Sequence, residues 1–97
     1  MDSDTVASLK HNLIMQWVNY VGKRAELLTV QHLQDLGTLS YKERSDRQHE
    51  LRDVRATFVV LALTNLRAVL YDAAIKEMFG EEMYDDMIRV ADFGEVR

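Results

Sequence analysis

The chain has no cysteine and no proline, and only four of its 97 residues are glycine. Without thiols there is neither a disulfide framework nor a cysteine-bound zinc site. With proline absent and glycine this scarce, the closely spaced turns of an all-β fold have nothing to be built from. Long apolar runs are missing too. The longest is Phe58 to Leu63, and Asn65 and Arg67 break the stretch beyond it, so a membrane span of about 20 apolar residues is not available. The start, Met1-Asp2-Ser3-Asp4, is acidic where a secretory leader is basic. These absences lead to the expectation of a soluble, cytoplasmic protein with no membrane partner.

What is present suits one helical domain over residues 1–97, with 47% hydrophobic residues to form a core. Twelve basic and sixteen acidic residues leave a net charge of −4 with histidine neutral. The imbalance sits at the C-terminal end. Residues 71–97 carry Asp72, Glu77, Glu81, Glu82, Asp85, Asp86, Asp92 and Glu95 against Lys76, Arg89 and Arg97, a net of −5, whereas residues 1–70 net +1. Such a distribution disfavours direct nucleic-acid binding. It suits a basic protein surface.

Helical spacing begins after Asp4, a candidate N-cap. Val6, Leu9, Leu13, Ile14, Trp17, Tyr20 and Val21 fall in one sector, and Ala25, Leu28, His32 and Leu36 continue a stripe that is rotated from the first. The spacing predicts a helix over about 5–36, continuous or kinked at Gly22, with Gly37 as its C-cap. Ser40-Tyr41-Lys42-Glu43 forms a capping box. No glycine or proline occurs after it until Gly80, which predicts one long helix over 41–79 and a short amphipathic helix over about 81–91. The fold class is thus all-α, a long helical hairpin plus a short C-terminal helix.

From 56 to 75 the second helix is apolar almost all round, with Phe58, Val59, Val60, Leu61, Ala62, Leu63, Leu66, Val69 and Leu70 pointing in nearly every direction. Such a helix must be enclosed on all sides. The expected enclosure is a second copy, two hairpins making a four-helix bundle as a homodimer.

Three groups of residues suggest sites. Glu81, Glu82, Asp85 and Asp86 surround Met83, Tyr84 and Met87, a charged rim around an apolar centre, as in a partner-binding patch. Lys42, Arg44, Arg47, Arg52 and Arg55 make an alternative basic face for phosphate or nucleic acid. Glu43, Asp46, Glu50 and Asp53 occupy a sector of about 80° on the same helix, where Asp46 and Glu50 are like charges at i,i+4. Sorting of this kind points to ion pairing beside a helix seam, or to a divalent metal.

His49-Glu50-Leu51-Arg52-Asp53-Val54, running into Phe58-Val59-Val60-Leu61-Ala62, resembles the second motif of the all-α nucleoside triphosphate pyrophosphohydrolases of the MazG type. The resemblance implies a small, helical, oligomeric protein in which a Glu-x-x-Asp helix gives carboxylates to Mg²⁺. It would make Glu50 and Asp53 metal ligands. In the preceding helix, where that family has Glu-x-x-Glu, only Glu26 of Val21-Gly22-Lys23-Arg24-Ala25-Glu26 matches.

Together these observations predict a non-catalytic, cofactor-free helical binding protein. It associates with itself and blocks a surface of a larger protein or nucleoprotein complex, as phage and mobile-element inhibitors do. A Mg²⁺-dependent pyrophosphohydrolase using Glu26, Glu50 and Asp53, and a nucleic-acid-binding assembly protein, are the alternatives.

Overall fold

The computed structural model of the protein describes residues 3–35, 37 and 40–93, which form helices and the turns between them, with no strand among them. Helix α1 (Ser3–Asp35) is one helix of 33 residues that runs through Gly22 without a break. Asp4 lies inside its first turn and not at the cap, where the free amides still favour a negative charge. Gly37 has φ +78°, the left-handed conformation expected of it. The predicted end at Leu36 and the tail over 94–97 lie outside the described residues.

Helix α2 (Tyr41–Ala56) opens as its sequence predicts. Ser40 is extended, at φ −81° and ψ 158°, and its hydroxyl oxygen accepts from the Glu43 amide at 3.4 Å. The predicted continuous helix over 41–79 is corrected in two places. First, α2 passes into a π-helical stretch, Thr57–Leu63, and then into α3 (Thr64–Arg67). A π turn closes i to i+5. It therefore aligns Phe58, Ala62 and Leu63 on one inner face, all buried, and leaves Val60 and Leu61 outside, 61% and 55% exposed. The Thr64 hydroxyl donates to the Val59 carbonyl across this wide turn at 2.9 Å.

Second, the chain leaves the helix after Arg67, and α4 (Asp72–Phe79) departs at 113° to the preceding axis. The Val69 and Leu70 amides both donate to the Leu66 carbonyl, which tightens the last turn. Across the bend, Arg67 grips Asp72 with both arms, Nε to Oδ1 at 3.1 Å and Nη2 to Oδ2 at 3.0 Å. Gly80 then turns the chain into α5 (Glu81–Phe93). Its φ of 89° with ψ of 153° is a conformation essentially confined to glycine.

One core joins these elements. Leu13, Trp17 and Tyr20 of α1 meet Phe58, Ala62, Leu63 and Leu66, and Ile75, Met87 and Val90 close over them from α4 and α5. Trp17 lies 5.2 Å from Phe58 and 6.0 Å from Tyr20, centroid to centroid, an aromatic trio at the centre. Trp17 meets Phe58 while Glu26 meets Arg47, so α1 and α2 run in opposite directions.

The apolar stretch is thus closed mainly by its own chain. Bending at 68–71 brings α4 and α5 back over its inner face, while Val60 and Leu61 on the outer side stay exposed. Leu66→Ala should accordingly cost about 3 kcal/mol and lower the thermal midpoint by roughly 10–20 °C. Leu61→Ala should change stability by no more than about 0.5 kcal/mol. Circular dichroism melts of the two variants test the π register, and equal losses would contradict it.

Candidate functional site

The three groups singled out by sequence meet different fates. In α5, Met87 is completely buried, and Met83 and Tyr84 pack against the core. Met87 is therefore interior, which corrects its place in an exposed centre, while Met83 and Tyr84 are half-buried. Burial of i and i+3 neighbours on a short amphipathic helix is what docking it onto α1 and α2 requires. Glu81, Glu82 and Asp85 remain exposed, Glu81 lies 3.7 Å from Lys76, and Asp86 accepts from Arg89 at 3.3 Å. Tyr84 sits beside the Arg67–Asp72 clamp. The guanidinium hydrogen bonds hold the Asp72 carboxyl below its ordinary pKa. Burial, reinforced by the Asp72 charge, pushes the Tyr84 phenol up.

The basic face is dispersed. Arg55 turns inward: Nε and Nη2 donate to the Val90 carbonyl at 3.1 and 2.9 Å, and Nη2 also reaches the Ala91 carbonyl at 3.3 Å. Both carbonyls lie on α5, and a guanidinium is a charge-assisted donor to them. Arg55 is thereby a fastener between α2 and α5, not a surface contact, which corrects its place in that face. Arg47 is engaged with carboxylates, Arg44 is half-buried, and Lys42 and Arg52 stay exposed.

Glu26 and Glu50, two of the three carboxylates implied by the pyrophosphohydrolase resemblance, are brought together from α1 and α2. They meet through cations. Lys23 lies 3.4 Å from Glu26 and 3.5 Å from Glu50, and Arg47 lies 3.8 Å from Glu26 and 3.3 Å from Glu50. Each carboxylate thus touches both cations, and an ammonium and a guanidinium hold the positions a Mg²⁺ ion would take. Asp53, like Glu43 and Asp46, is exposed, and no group of three metal-binding side chains gathers among the described residues. The residues present do not fit the metal: Mg²⁺ demands an octahedral oxygen shell, and here it would have to displace two cations already in place. The quartet is a half-exposed ionic seam, of the kind the sorted charges on α2 suggested.

The feature that sequence analysis passed over is the outer face of α1. At about 100° per residue, Met15, Val18, Val21, Gly22 and Ala25 fall within a sector of about 120°, with Leu28 at its edge and His11 and His32 at its ends. Between residues 11 and 32 this sector, Leu28 included, holds no Lys, Arg, Asp or Glu. It points away from the core face of Leu13, Trp17, Tyr20 and Leu27. Met15 is 57% exposed, Val18 61%, Val21 41% and Leu28 51%. An open groove of about 370 Å³ runs beside it, lined by Gly22, Ala25, Glu26, Thr29 and Arg47. The signal was the rotated stripe after Gly22, which is a second apolar face on a straight helix and not a bend.

No single described helix is long and apolar enough to cross a membrane. No family model, curated protein or solved structure matches the chain.

Millimolar MgCl₂ should leave the thermal midpoint unchanged, since a ligand that does not bind the native state adds nothing to its stability. A rise with Mg²⁺ that vanishes in Glu50→Gln would restore the metal site. Arg55→Met should cost about 2 kcal/mol by leaving partly buried α5 carbonyls unpaired, and Arg55→Lys should recover little of it because an ammonium lacks the fork. Hydrogen exchange should show the loss first in α5.

Proposed function

We propose that the protein is a non-catalytic helical binding protein that works by docking the outer face of α1 onto another protein surface. The observation that carries this reading is the uncharged sector in which Met15, Val18, Val21 and Leu28 are all more than two-fifths exposed. Contiguous exposed apolar surface with charged residues beside it is the anatomy of an interaction site. Here the Lys23–Glu26–Arg47–Glu50 seam supplies the polar border on one side. The helical hairpin of α1 and α2 presents this face along several turns, which suits helix-on-helix recognition. In the assembled form the hairpin contributes two helices to a bundle, and the partner is this chain itself or a larger protein or nucleoprotein complex. An inhibitor that blocks a partner's surface needs no more chemistry than this.

An acid pair able to do catalysis is not offered by the quartet, because each carboxylate is neutralised by the same two cations. The acidic exposed residues of α5 then serve a different end. They keep one side of the protein charged while the outer face of α1 stays neutral.

Met15→Glu/Val18→Glu should keep the helical circular dichroism spectrum and a melting midpoint within a few degrees, because both side chains point to solvent. The same variant should lose the complexes that the unaltered chain forms, read by chemical crosslinking and size-exclusion chromatography. Charge reversal at Glu81 and Asp85 serves as the contrast and should leave those complexes in place. Complexes that survive Met15→Glu/Val18→Glu and fail on α5 reversal would assign binding to the acidic side.

A further inference from the structure

We propose that a second copy of this chain covers the outer face of α1, the two α1 helices packing antiparallel about a two-fold axis between Val21 and Gly22. The inference rests on the binding face proposed above and names its occupant.

Two observations favour the second copy. The face is symmetric in sequence about its middle. A two-fold axis between residues 21 and 22 sets Val18 opposite the second copy's Ala25, and Met15 opposite its Leu28. The large exposed side chains thus meet apolar partners on both sides, and a face without charge meets an identical face without repulsion. An isologous contact requires this self-complementarity.

Gly22 supplies the second observation. Glycine inside a helix is disfavoured against alanine unless a close neighbour needs the space. Among the described residues of the protomer there is no such neighbour: a Cβ added at Gly22 meets nothing within 4 Å. Its backbone is ordinary helix, without the positive φ that Gly37 and Gly80 adopt. At the proposed axis, the missing side chain lets the two backbones approach at their crossing.

Engineered cysteines test the arrangement, and the chain has none of its own to confuse the result. Val18→Cys and Ala25→Cys each place a thiol at an exposed site. Mixed and mildly oxidised, the two variants should give a covalent dimer. Val18→Cys alone should not, since its two thiols would lie about 10 Å apart along the axis, beyond disulfide reach. Light scattering of the unaltered chain should give twice 11.3 kDa. Gly22→Leu should keep the helical spectrum and halve that mass. Crosslinking of Val18→Cys with itself in preference to the mixture, or a Gly22→Leu chain that remains dimeric, would overturn the antiparallel crossing. A monomeric unaltered chain at about 100 µM would reject the second copy. If Met15→Glu/Val18→Glu still abolished binding of another protein by that monomer, the binding face would stand and only its occupant would be wrong. If it changed nothing, both readings would fall.

Discussion

The protomer depends on the closure of one apolar stretch by the chain that contains it. Phe58, Ala62, Leu63 and Leu66 cannot all face a single neighbouring helix while the winding stays α-helical: Phe58, Ala62 and Leu66 follow at four-residue steps on one face, but Leu63, five on from Phe58, would point about 140° away. The π stretch turns Leu63 onto the face of Phe58, and the bend at 68–71 returns Ile75, Met87 and Val90 to the same centre. Without the bend, that face would lie open beside Trp17 and Tyr20. Both features oppose local helical preference, and burial of these side chains is what outweighs it. Each fully buried aliphatic or aromatic side chain contributes roughly 1.5–3 kcal/mol, more than the disruption of one or two backbone hydrogen bonds.

Charged side chains do the fastening around this core. Arg55 satisfies the last carbonyls of α5, Arg67 spans the bend to Asp72, and the Lys23–Glu26–Arg47–Glu50 quartet borders the α1–α2 seam. The three devices differ in strength. The Arg55 contact is part-buried and ties together two helices far apart in sequence. The Arg67–Asp72 pair is bidentate but exposed, so solvent screening discounts it. Its linkage to pH has a definite sign. The folded pKa of Asp72 is depressed, so its contribution is present above the unfolded carboxyl value and is lost as pH falls through the folded one. Acid should therefore loosen the bend between α3 and α4 before it disturbs the aromatic trio.

How much of this was legible in the sequence depended on whether the cause was local. The Ser40 cap and the left-handed turns at Gly37 and Gly80 are decided by neighbouring atoms, and they could be read directly. The bend at Ala68–Tyr71 contains neither glycine nor proline. Its cause is tertiary, and Arg67 and Asp72, five residues apart, give no periodic sign of it. The π stretch is hidden in the same way, since a run apolar in every direction carries no phase from which its register could be read. Among the site residues, the meeting of Glu26 with Glu50 followed from pairing α1 with α2. The interposition of Lys23 and Arg47 did not, because it depends on which rotamers the seam allows. For Met83, Tyr84 and Met87 an amphipathic pattern suits an exposed patch and a packed face equally, and only the position of α5 on the core decides between them.

The same division explains α1. A helix that buries one face and exposes polar residues on the other shows a single apolar stripe, and its phase is easily read. Here the inner stripe of Leu13, Trp17, Tyr20 and Leu27 is matched by an outer one of Met15, Val18, Val21 and Leu28, so the two nearly cancel and the periodic signal is weak. In this helix of 33 residues the weak amphipathicity reflects apolar side chains on both sides. The core accounts for the inner side. The protein has sixteen acidic and twelve basic residues, yet between residues 11 and 32 that outer sector carries none of them. Solvation alone gives no reason for that choice, whereas contact with another apolar surface does.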